Sequence, residues 1–106
     1  MACDNCISLT SGTPIKHPAD LKRAISKADD AIKHQVLKYE GAGVMGDPFS
    51  KLALGGHWGD FVSNYFSCRT CGQFFHLNAE TYHGSGGAFK KVDQITEQLQ
   101  RDTYAP

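Results

Sequence analysis

A chain of 106 residues with 41% apolar and 21% charged residues has the composition of an ordinary globular domain, which excludes a fibrous repeat and a disordered polymer. Eleven Lys and Arg balance eleven Asp and Glu, so the chain lacks the basic excess that DNA, RNA or an anionic membrane selects. A single domain over 1–106, with one modest core and neither a nucleic-acid nor a membrane partner, is the expectation.

The chain starts Met1-Ala2-Cys3-Asp4-Asn5-Cys6, with neither a basic leader nor an apolar one, and a cytoplasmic location is expected from this. The first strong pattern is helical. Leu21, Ala24, Ile25, Ala28, Ala31, Ile32, Val36 and Tyr39 recur at steps of three and four, with Lys22, Lys27, Asp29, Asp30, Lys33 and Lys38 between them. Pro18 suits the first turn, Asp20 complements the positive end, and Gly41 is placed to cap the other. These signals predict a long helix over 18–40 whose stripe belongs to the core.

From Gly41 to Gly59 six glycines and Asp47-Pro48 break any period, predicting a long loop with a short helical turn near Phe49 to Leu54. No phosphate-binding Gly-x-x-x-x-Gly-Lys-Ser/Thr motif is present in it. Residues 58–67 and 73–78 are rich in aromatic and β-branched types and read as strands, joined by a turn from Cys68 to Gly72. A third strand is expected from Ala88 to Val92, after Gly84-Ser85-Gly86-Gly87. Val92, Ile95 and Leu99 then fall at helical spacing behind Asp93 as an N-cap, predicting a short C-terminal helix.

The four cysteines form two pairs, Cys3-x-x-Cys6 and Cys68-x-x-Cys71. In a reducing compartment such pairs are metal ligands more often than disulfides, and two of them supply the four thiolates of a tetrahedral zinc site. The stretch from Cys6 to Cys68 far exceeds the roughly 15–20 residues between the pairs of a minimal zinc module, so a substructure must be inserted between them. Gly72 tolerates positive φ and lets backbone N–H groups turn toward the second pair of sulfurs. Iron in the same four-sulfur set is chemically possible. A thioredoxin-like redox centre needs its Cys-x-x-Cys at a strand-to-helix junction, whereas Cys68 and Cys71 lie between two strand-like runs. Incidental free cysteines leave the paired spacing unexplained.

Tyr65-Phe66-Ser67-Cys68-Arg69-Thr70-Cys71-Gly72-Gln73-Phe74-Phe75-His76-Leu77, followed by Glu80-Thr81-Tyr82-His83-Gly84-Ser85-Gly86-Gly87-Ala88-Phe89, resembles small stand-alone zinc-ribbon proteins of bacteria. Some of these are immunity proteins encoded beside secreted polymorphic toxins. The resemblance implies a zinc-ribbon-like antiparallel sheet, and the fold expected is α+β, that sheet with a short C-terminal helix and an inserted long helix that departs from a minimal ribbon. It also implies one structural zinc on Cys3, Cys6, Cys68 and Cys71, and a cognate toxin as protein partner.

An enzyme is not expected. His83 before Gly84-Ser85-Gly86-Gly87 only superficially resembles an oxyanion loop, and no Gly-x-Ser-x-Gly elbow accompanies Glu80 or His76 as acid or base. A four-thiolate zinc is coordinatively closed, and His57 is a weaker ligand candidate than any of the cysteines. The alternative function is a zinc-ribbon adaptor in nucleic-acid transactions. Its best basic patch is Lys16, Lys22, Arg23 and Lys27, a sequence cluster without an aromatic residue for base stacking. For a protein partner, the favoured anchors are Trp58, Tyr82 and Phe89 beside the glycine-rich loops.

Overall fold

A computed structural model of the chain describes residues 3–43, 46, 48–53, 58–81 and 86–99. A 3-10 turn (Ile7–Leu9) leads to β1 (Thr13–Ile15) and α1 (Pro18–Lys33). Then follow β2 (Leu37–Ala42), α2 (Phe49–Ala53), β3 (Phe61–Cys68), β4 (Phe74–Glu80) and β5 (Gly86–Val92). The strands form one antiparallel sheet in the order β1-β5-β4-β3-β2, so the fold is α+β with a five-stranded sheet and one long helix. Among the described residues no helix is long and apolar enough to cross a membrane.

The alternation along β4 shows how the core is made. Phe75, Leu77 and Ala79 are buried on the helix side, while Phe74, His76, Asn78 and Glu80 are half-buried on the other. Val62 and Phe66 of β3, Phe89 of β5 and Leu37 and Tyr39 of β2 join the inner set. Against it α1 packs Leu21, Ala24, Ile25, Ala28, Ala31 and Ile32, each large side chain contributing about 1.5–3 kcal/mol through burial. Phe66 anchors the centre, with Phe49 edge-on at 5.1 Å and Phe89 at 5.8 Å.

Helix α1 begins where the sequence places it. Pro18 occupies its first turn, and Asp20 Oδ2 accepts from the Lys16 and His17 backbone N–H groups at 3.0 and 3.1 Å. Its end differs from the expectation of 18–40. Gln35 adopts φ 65°, Val36 N–H bonds Ala31 O and Gln35 N–H bonds Ile32 O, a Schellman stop with glutamine where glycine is usual. Val36 and Tyr39 continue the helical spacing only by coincidence, because Leu37 and Tyr39 also fit the two-residue period of β2, and β3 supplies their partners. Gly41 therefore caps nothing. It lies inside β2 at a register irregularity between Tyr39 and Gly41.

The helical turn expected near Phe49 to Leu54 is α2, and the three expected strands are β3, β4 and β5, with small shifts of boundary. β1 was not legible as a strand. The expected C-terminal helix is absent among the described residues: Val92 ends β5, and residues 93–99 contain no helical turn. Three apolar residues over so short a span cannot repay helix nucleation, and Glu97 instead accepts a hydrogen bond from Tyr65 of the sheet at 2.7 Å.

Candidate metal centre

Cys3 and Cys6 precede the 3-10 turn, and Cys68 ends β3 at the hairpin into β4. The two pairs meet. All four Sγ atoms lie within 4.8 Å of one another. Cys3 and Cys68 approach to 3.6 Å, Cys6 and Cys71 to 3.7 Å, and Cys3 and Cys6 to 4.0 Å. A sulfur–sulfur bond of about 2.05 Å is excluded at these distances. A tetrahedron of thiolates at about 2.3 Å from a central ion has edges of about 3.8 Å, which the observed separations bracket. The four sulfurs thus form a potential metal-binding site whose dimensions fit a zinc-sized ion, and iron in an all-thiolate set uses the same donors.

The local backbone explains why the sulfurs converge. In the second pair Gly72 has φ 81°, with nothing within 4 Å of where a Cβ would sit, so conformation and not space requires glycine there. That turn brings Gly72 N–H to Cys68 O at 2.9 Å and Cys68 N–H to Gln73 O at 2.9 Å. Thr70 N–H points at Cys68 Sγ at 3.4 Å. Asn5 Nδ2 donates to Thr70 Oγ1 at 2.9 Å, so Cys3 with Cys68, Asn5 with Thr70 and Cys6 with Cys71 all meet at the same sequence separation. The sequence reading missed the Asn5–Thr70 brace, although both residues hold the second intervening position of their pair.

Burial and backbone N–H groups pull the thiols of Cys6, Cys68 and Cys71 in opposite directions. Burial pushes the Cys6 thiol up to about 12. At Cys71 the Gln73 backbone N–H outweighs burial and brings the thiol down to about 6. At Cys68 burial opposes ionisation, but the Cys71 and Thr70 backbone N–H groups, joined by hydrogen bonds with Cys3 and Cys6, outweigh it and lower the thiol. The sulfur–sulfur hydrogen bonds add to this split, raising Cys6 and lowering Cys68 and Cys71, and a central cation would relieve it.

Of the residues singled out as partner anchors, Trp58 is partly buried against the core. Phe89 is a correction: it is 1% exposed, because its position in β5 opposite Leu77 turns it into the helix-side core. Tyr82 lies outside the described residues, as do His57, His83, Gly84 and Ser85. Trp58 borders a cleft of about 510 Å³ with Ile15, Lys16, Leu21 and Glu80, and a second one of about 310 Å³ with Lys22 and Ser26. The fold thus brings an aromatic residue beside the basic cluster that lacks one in sequence. Asp29 lines the same second cleft, and Asp30 lines the neighbouring one beside Lys22, Arg23 and Lys27, so both charge signs face these surfaces.

A polar cluster on the face of the sheet away from α1 was also missed. His76 stacks on Tyr65 with ring centroids 4.0 Å apart, and its Nε2 lies 2.8 Å from Ser63 Oγ. Asn78 Oδ1 accepts from Ala88 N–H at 3.2 Å, which turns its Nδ2 toward His76 Nδ1 at 3.4 Å. With a donor facing Nδ1, His76 carries its proton on Nε2 and donates to Ser63 Oγ, the wrong direction for a base that activates serine. Burial holds the His76 pKa below its ordinary value, and burial first, then the Glu97 carboxylate, pushes Tyr65 up to about 12. Ser63, Tyr65, His76 and Asn78, spread over two strands and facing one surface, leave only their alternation as a sequence signal.

No protein-family model, no curated protein and no solved structure matches this chain at a significant level.

Proposed function

We propose that the chain is a zinc-stapled protein-binding domain that acts in the cytoplasm as an immunity protein, neutralising a cognate secreted toxin by direct contact. The observation that carries the zinc half is the meeting of four sulfurs from residues 3, 6, 68 and 71 at tetrahedral-edge separations. In that role Cys3, Cys6, Cys68 and Cys71 hold one ion, and the ion supplies rigidity, since a four-thiolate shell leaves no position open for water or substrate. A rigid scaffold suits a binder, because a preformed face spares the ordering cost of association. The immunity half is supported by the resemblance of residues 65–77 and 80–89 to small bacterial zinc-ribbon proteins, some of which are immunity proteins.

Co-expression with the toxin domain encoded beside its gene tests this reading. Growth rescue and a complex with nanomolar affinity, about −12 kcal/mol, are expected. A chain that holds zinc but neither binds nor protects against that toxin would leave a zinc-ribbon binding module without an immunity role. Sub-micromolar retention of generic DNA or RNA at physiological salt would favour the adaptor function instead.

A further inference from the structure

We propose that residues 3–15 form a metal-locked arm, and that losing the metal releases this arm from the sheet and uncovers the edge of β5. The inference rests on the reading that the four cysteines hold an ion. β5 is covered unequally on its two sides. On one side β4 pairs with it over its whole length, from Phe74 opposite Val92 to Glu80 opposite Gly86. On the other side, among the described residues, it has only β1, with Thr13, Pro14 and Ile15 opposite Phe89, Ala88 and Gly87.

β1 is an edge strand of three residues, and a strand that short holds poorly on its own ladder bonds. The arm is anchored through its other parts. Leu9 and Ile15 enter the core, and the first cysteine pair joins the β3–β4 hairpin. Apart from the sulfur contacts of Cys3 with Cys68 and Cys6 with Cys71, its side-chain hydrogen bonds to the rest of the fold among the described residues are Asn5 to Thr70 and Lys27 to Thr13, both exposed. The metal is therefore the strongest tie between the arm and the body, and it lies at the end of the arm away from β1.

The arm also suits the role of a cover. Pro14 has no N–H, so β1 presents an incomplete edge to any further strand. β5 without β1 presents the backbone groups of Gly87 to Phe89 that β1 had paired, a template on which another strand can add. The approach of the two strands is close as well: a Cβ on Gly86, at φ 79°, would strike Ile15 O, so glycine is needed for the arm to seat.

Hydrogen exchange read by mass spectrometry on the full chain tests the lock, comparing the zinc-loaded protein with protein stripped by EDTA under a thiol reductant. The expected result is exchange at least roughly tenfold faster after stripping in peptides covering 3–15 and 86–92, with 61–68 and 74–80 still protected. Unchanged protection of 3–15 and 86–92 with zinc gone would overturn the proposal, and so would simultaneous loss from every strand. Leu9→Ala in the zinc-loaded state separates the metal from the core contact. It should leave 86–92 protected, and exposure equal to that of the stripped protein would mean that the core, not the metal, is the lock. A chain that takes up no zinc at all would overturn the metal reading beneath the inference as well.

Discussion

Cys68 and Thr70 stand two residues apart in one turn, yet their replacement should have very different effects. With zinc in the proposed site, Cys68→Ser removes one of four thiolates and with it the metal's contribution to folding, an expected loss of at least about 3 kcal/mol in urea unfolding. Thr70→Val removes only the exposed hydrogen bond to Asn5, and less than about 1 kcal/mol is expected. His76 provides a pH-dependent case. Burial lowers its pKa in the folded state, so the unfolded chain takes up the proton first as pH falls below the ordinary value of 6.5. The stability it contributes is therefore complete above that value and is lost as pH falls through the folded pKa. His76→Gln should flatten this part of the profile, as seen in melting temperatures measured between neutral and mildly acid pH. The cysteines were legible because their chemistry demands a fixed spacing, whereas His76, Ser63 and Asn78 carry no such spacing and become a cluster only through β3–β4 register.

Helix α1 shows how a correct periodicity can be carried too far. Its stripe is real from Leu21 to Ile32, but the apolar residues of β2 happen to continue it, and Gln35 gave no glycine-like warning of a stop. Gln35→Gly should therefore stabilise the protein by about 1 kcal/mol, because glycine enters the left-handed region without the Cβ penalty. Thermal melting checks this. The junction of β2, β3 and α2 turns on one hydroxyl: Tyr39 OH donates to buried Asn64 Oδ1 at 2.6 Å and accepts from Phe49 N–H at 3.2 Å. Tyr39→Phe removes the hydroxyl from both contacts and should cost about 1–3 kcal/mol. β1 escaped notice because three residues containing a proline show no alternation, and the C-terminal helix was expected from spacing that the sheet and Glu97 override.

At the scale of the molecule, the antiparallel strands β3, β4 and β5 and the hairpin between the first two were legible from aromatic and β-branched runs broken by Cys68 to Gly72. Less legible was how the N-terminal segment closes the structure, since it depends on contacts between residues 3–6 and 68–71 that only the metal-binding chemistry of the pairs suggests. This junction staples the fold: the arm reaches past Leu9 to the edge of β5, and the hairpin carries the rest of the sheet. Native mass spectrometry of chain purified without added metal tests that claim most directly. A mass corresponding to the 11.6 kDa chain with one zinc is predicted, whereas a chain that emerges metal-free, with four free thiols and a melting temperature that added zinc does not raise, would contradict it.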